Sequence, residues 1–184
     1  MPLTLPPART PGRYRIGMVC LGNICRSPVA DVVLTALVAD AGLDDRVEVA
    51  SCGTGPWHVG EPMDRRSAAT LSEAGYDPTR HVARQYDVDW SEHYDLLLAM
   101  DTQNLADIGG RGPRAALLRD ADPAAASAHA GQDAEVPDPY YGGPTGFEEV
   151  LAMVERSCAA VVDLLPEALA VAGVDGTPEV GDVR

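Results

Sequence analysis

No lysine occurs anywhere in this chain of 184 residues: all 14 basic residues are arginines, set against 28 acidic ones for a formal net charge of −14. So acidic a protein is repelled by phosphate backbones and anionic bilayers, which disfavours nucleic acid and membrane as partners. One local basic pocket for an anion remains allowed. Also missing is any apolar stretch near the roughly 20 residues that a membrane span requires. The N-terminal MPLTLPPARTPGR is proline-rich and lacks the continuous apolar region of a secretion signal. A cytoplasmic protein is the expectation. Cysteine is sparse as well: Cys20, Cys25, Cys52 and Cys158 form no pair of CxxC motifs, so no zinc site is indicated. A chain of this size does not depend on disulfides, and reduced thiols are expected.

What is present is alternation. RIGMVC (Arg15 to Cys20) is a short aliphatic run, followed after a loop by PVADVVLTALVADAG, whose apolar residues recur at helical spacing and stop at Gly42. VEVAS (Val47 to Ser51) reads as a second strand and Asp64 to Gly75 as a helix with an acidic start and a glycine stop. YDLLLAM (Tyr94 to Met100) is a continuous apolar run typical of a strand covered on both faces, and Ala115 to Leu118 suggests a fourth. Phe147 to about Leu169 reads as a long amphipathic helix, with a disturbance expected at Pro166. Strands alternating with helices imply one parallel sheet with helices on both faces. Residues 1–13 and 172–184 read as loose tails around a single domain, 14–171, and Asp120 to Pro137 as a long surface loop.

The junction VCLGNICRSP, Val19 to Pro28, carries the chemistry. A loop from the carboxyl end of a strand to the amino end of a helix aims several backbone N–H groups and the positive end of the helix dipole at one point. Such a cradle binds an oxyanion and favours a thiolate over a thiol at Cys20, making it nucleophilic. Arg26 offers a fixed bidentate fork to two oxygens of a tetrahedral anion. The Ser27 hydroxyl can hydrogen-bond the sulfur and stabilise it as a leaving group. Thiolate, cradle and fork together suggest phosphoryl transfer through cysteine. A proton donor for the leaving oxygen is then needed, and Asp138, between two prolines in VPDPYYGG, is the candidate.

These motifs resemble the low-molecular-weight protein tyrosine phosphatases. VCLGNICRSP is similar to that family's phosphate-binding loop and DPYYG with FEEV to its general-acid loop and final helix. SCGTGPWHVGEPMD, HVARQ and LLLAMDTQNL match segments between them, so the resemblance covers about residues 14–170. It implies a doubly wound three-layer α/β sandwich with a central four-stranded parallel sheet. It also implies that Cys20 is the nucleophile, Arg26 the phosphate clamp, Asp138 the acid and later the base, and Ser27 an aid to thiolate departure. Leu21, Gly22, Asn23, Ile24 and Cys25 would form the substrate-binding loop, with Leu21, Trp57, Tyr140 and Tyr141 as cleft walls. Asn23, Ser51 and His81 would hold the loop in shape, and Cys25 would form a protective reversible disulfide with Cys20.

Cys52 departs from the family, where a small residue is usual, and reads as filler; Cys158 lies on the apolar face of the last helix. His58 follows the cleft tryptophan and reads equally as a substrate contact or as an exposed loop histidine without a role, whereas His93 and His129 read as surface residues. The resemblance implies tyrosine-phosphorylated proteins as substrates, no metal and no cofactor; a monomer is expected. Two other readings remain: an arsenate reductase on the same fold, which would need further cysteines where Met63 to Gln103 has none, and a phosphotyrosine-binding module without turnover.

Overall fold

The computed structural model describes residues 2–126 and 134–171. Strands β1 (Tyr14–Cys20), β2 (Val47–Gly53), β3 (Leu96–Ala99) and β4 (Ala115–Leu117) form one parallel sheet in the order β2-β1-β3-β4. The helices are α1 (Arg26–Asp40), α2 (Arg65–Glu73), α3 (Asp89–His93), α4 (Thr102–Asp107), α5 (Pro123–Ala126) and α6 (Pro144–Val171). Register sets Cys20 against Gly53 and Val19 against Ala99, so the carboxyl ends of the strands share one edge. At that edge β1 lies between β2 and β3, where successive connections diverge to opposite sides and open α/β sheets form their ligand crevices.

Alternation along β1 divides the core. Tyr14, Ile16 and Met18 join Leu96 and Leu98 against Val33 and Leu34 of α1 and Val154, Val161 and Leu165 of α6. Val19 joins Leu97 and Ala99 on the opposite face against Trp90, Tyr94 and Leu105. Gly17 lies on this second face, where a Cβ would come within 2.7 Å of Leu97 Cδ2 and 3.2 Å of the Trp90 ring. Glycine there lets the indole lie close to the sheet. Together these layers make the doubly wound sandwich that the sequence implied.

The helix read from Asp64 to Gly75 is capped by the Asp64 side chain, which accepts from Arg66 N, and ends before Gly75 at φ 89°. α6 runs through Pro166 without interruption. Two other expectations need correction. The N-terminal segment is not loose: Leu3, Leu5 and Ala8 pack on the core, Leu3 N donates to Asp120 O, and Arg9 N donates to the buried Asp95 carboxylate at 2.6 Å. The surface loop expected over Asp120 to Pro137 begins within a 3₁₀ turn at Leu118–Ala121 and includes the short α5, and Val136 is fully buried. His129 and the tail 172–184 lie outside the described residues. Among the described residues no helix is long and apolar enough to cross a membrane.

Candidate active site

β1 ends at Cys20 and α1 begins at Arg26, so the five residues between them must turn the chain within one short loop. The turn is made at Asn23, with φ 55°, the one described residue other than glycine in the left-handed region. Asparagine tolerates that region better than most residues, and its side chain fixes the shape. Asn23 Nδ2 donates to Ser27 Oγ at 2.9 Å, and Oδ1 accepts from Arg84 N at 2.8 Å. His81 Nε2 donates to the Asn23 carbonyl at 2.8 Å, which assigns the proton to that nitrogen. Burial lowers the pKa of His81 and favours the neutral ring. Ser51 is not brought into this network: its buried hydroxyl lies beside Asp31 of α1, a carboxyl that burial pushes upward.

The loop folds back on its own sulfur. Asn23 N donates to Cys20 Sγ at 3.2 Å, and Ser27 Oγ lies 3.0 Å from it while also reaching Cys52 O at 3.2 Å. Behind it sits Gly53, where a Cβ would stand 2.7 Å from Leu21 O and 2.9 Å from Asn23 N; a side chain there would displace the loop. Cys20 is thus a buried thiol surrounded by donors. Burial pushes Cys25 up to about 12 and raises Cys52 and Cys158 further, so all three are protonated at neutral pH. The four cysteines are unpaired.

Arg26 is 3% exposed, and its Nη1 donates to Asp101 Oδ2 and to Val136 O, while Nη2 donates to Asp138 Oδ2 at 3.3 Å. Burial opposes its charge, but Cys20, Asp101 and Asp138 more than offset that and hold its pKa above the ordinary value. Among the described residues the remaining Nε–H and second Nη2–H have no protein acceptor, leaving the two adjacent donors that suit a tetrahedral anion. Asp138 is partly exposed, and its Oδ1 accepts from Tyr140 N at 3.1 Å.

These groups open into a cavity of about 320 Å³ lined by Cys20, Leu21, Gly22, Ile24, Cys25, Arg26, Trp57, His58, Asp138, Tyr140 and Tyr141. Trp57 and Tyr141 stand 66% and 95% exposed at its rim, free to close on a planar ring. His58 pairs with Glu61 at 2.7 Å on the same rim. His93 is an exposed residue near Glu48, remote from the cavity. Asp101 was missed by the sequence reading. Its position just after β3, at the carboxyl edge of the sheet, was the available signal. An aspartate before TQNL also reads as an ordinary helix cap, and it does accept from Asn104 N at 2.7 Å.

A family model described as low molecular weight phosphotyrosine protein phosphatase matches residues 15–171. The chain is 45% identical over 160 residues to a low molecular weight protein-tyrosine-phosphatase of Streptomyces coelicolor, covering 84% of this chain and 94% of that protein. It is 41% identical over 160 residues to low molecular weight protein-tyrosine phosphatase A of Mycobacterium tuberculosis, covering 84% and 93%. Among solved structures it is similar to a protein tyrosine phosphatase of Entamoeba histolytica, with a TM-score of 0.75 and 28% identity, covering 84% of this chain and 97% of that one.

Proposed function

The chain belongs to the low molecular weight phosphotyrosine protein phosphatase family and is a protein tyrosine phosphatase; from that premise we propose that Cys20 is its nucleophile, Arg26 its phosphate clamp and Asp138 its general acid and base. The observation that carries this assignment is the convergence of three elements on one cavity: the sulfur at the end of β1, the guanidinium at the start of α1 and the carboxylate that meets it from 112 residues along the chain.

The chemistry follows in two displacements. The Cys20 thiolate attacks phosphorus in line while the loop N–H groups and Arg26 stabilise the equatorial oxygens. Protonated Asp138 donates its proton to the departing phenolate, leaving a phosphocysteine. Asp138, now a carboxylate, takes a proton from water as that water attacks, and the thiolate leaves with Ser27 donating to the sulfur. Side chains and backbone N–H groups of the chain handle every proton and charge in this scheme, so it calls for no cofactor. An aromatic phosphate fits between Leu21, Trp57 and the two tyrosines, which supports tyrosine-phosphorylated proteins as substrates. A nucleophilic thiolate requires a reducing compartment to stay active, which supports a cytoplasmic location.

Hydrolysis of p-nitrophenyl phosphate across pH 4.5 to 8.5 without added metal tests the assignment. The profile should be bell-shaped with its maximum below neutrality, because one group must be protonated and the other not. Cys20→Ser should abolish turnover and Asp138→Ala reduce it roughly 10²-fold or more. Activity still rising above pH 8 would remove Asp138 as the acid.

A further inference from the structure

Arg66 lies in the first turn of α2, and neither the loop nor the mechanism above uses it. We propose that Arg66 is a positioning residue: it ties the segment carrying Asp138 to the phosphate-binding loop, and so sets where the general acid stands. This rests on the reading of Asp138 as that acid.

A continuous set of contacts makes the tie. Asp64 N donates to Ile24 O at 2.8 Å, which fixes the start of α2 on the phosphate-binding loop. The Asp64 carboxylate accepts from Arg66 N at 2.8 Å, from Nε at 3.0 Å and from Nη2 at 2.9 Å. The remaining edge of the guanidinium donates from Nη1 to Tyr140 O at 2.9 Å. Its plane is covered by two rings, with the guanidinium carbon 5.4 Å from the centroid of Tyr140 and 4.7 Å from that of Phe147, the single phenylalanine of the chain. Tyr140 N in turn donates to Asp138 Oδ1. Arg66 therefore grips the residue that orients the acid, and does so by main chain and ring together.

Two physical points favour positioning over plain stabilisation. Arg66 is an exposed residue, and exposed ion pairs add little to stability. Five contacts on one surface side chain, two to Asp64 beside the phosphate-binding loop, two to Tyr140 in the segment bounded by Pro137, Pro139, Gly142 and Gly143, and one to Phe147, are better explained by the tolerance that proton transfer demands. Hydrogen bonding from Arg66 keeps the Asp64 carboxyl below the usual carboxylate range, so the pair stays charged on the acidic side of neutrality where turnover is expected. Lysine could supply the charge but could not reach Asp64 and Tyr140 at once while packing against both rings.

Leaving-group dependence gives the test. Phosphotyrosine releases a phenolate that needs a proton, whereas 2,4-dinitrophenyl phosphate releases an anion that does not. Values of kcat/KM for both would be compared in wild type, Asp138→Ala, Arg66→Ala and Arg66→Lys, with thermal midpoints measured alongside. Asp138→Ala should lose activity selectively on phosphotyrosine. Arg66→Ala should lose about tenfold on phosphotyrosine and about twofold or less on the dinitrophenyl ester. Arg66→Lys should move the same way by a smaller factor, and it supplies the answer if the alanine variant does not fold. Equal losses on both substrates, or none, beside a selective Asp138→Ala would overturn the role of Arg66 alone. An Asp138→Ala variant without leaving-group dependence would remove the acid, and the inference with it.

Discussion

At Asn23 the chain places a non-glycine residue at φ 55° and uses both ends of one amide to keep it there, through Ser27 and Arg84. The carbonyl of the same residue accepts from His81 Nε2, so the start of α1 and the 81–84 segment both converge on a single turn. Two substitutions separate the contributions. Asn23→Gly keeps the backbone conformation available and removes two buried hydrogen bonds, a cost of about 1–3 kcal/mol. Asn23→Ala removes the same bonds and adds the left-handed penalty of roughly 1–2 kcal/mol that a Cβ brings. In urea unfolding, alanine should therefore be the less stable variant by about that penalty, and both should lose kcat/KM because Asn23 N no longer points reliably at Cys20 Sγ. Equal stability for the two would mean that the loop relaxes away from the left-handed turn.

Elements with a full hydrophobic period could be read from the sequence, and those without one could not. β1, its loop and α1 are contiguous, so one motif specifies strand end, cradle and helix start together. By contrast α3 and α4 span five and six residues, too few for a 3.6-residue pattern to repeat, and neither was anticipated. Asp101 escaped for a related reason: its cap on α4 is local, whereas its pairing with Arg26 spans 75 positions and exists only in the fold. Pro166 misled in the other direction. The ring of a proline inside a helix removes one hydrogen bond and crowds the preceding turn, yet α6 stays continuous because Val161, Leu165, Ala168 and Leu169 on either side are buried in the core. Packing holds a helix that propensity alone would break. Pro166 itself is exposed, so Pro166→Ala should restore the bond without opening a cavity and stabilise the protein by about 1–3 kcal/mol. A drop in thermal midpoint would show instead that proline at this position stabilises the fold, through the conformations it removes from the unfolded chain.

The whole molecule has two ends, and its strands point from one to the other. Cys20, Asp101 and Asp138 gather at the carboxyl edge, while the amino edge is closed by the N-terminal segment that composition alone marked as loose. Its prolines gave no periodicity to read, because its contacts are made singly: Leu3, Leu5 and Ala8 each touch the core, the Tyr14 hydroxyl donates to Pro6 O, and Arg114 Nη2 donates to Pro7 O. The anchor is Asp95, fully buried just ahead of β3, whose carboxylate accepts from Arg9 N at 2.6 Å and Arg15 N at 2.7 Å. Removing residues 2–9 would leave one buried carboxylate oxygen without Arg9 N and expose the apolar surface now under Leu3 and Leu5. Each buried hydrogen bond lost to a charged group costs about 1.5–3 kcal/mol, and apolar exposure adds to that. The thermal midpoint should fall by roughly 5–15 °C at the 2–4 °C per kcal/mol usual for a chain of this length. Because the lost contacts to Asp95, Tyr14 and Arg114 sit at the far ends of the strands from Cys20, and the one to Asp120 O involves no residue that lines the cavity, kcat/KM for p-nitrophenyl phosphate below the new midpoint should stay within about twofold of the full chain. A large loss of activity in a folded, shortened protein would mean that the amino edge of the sheet governs the site at the other end.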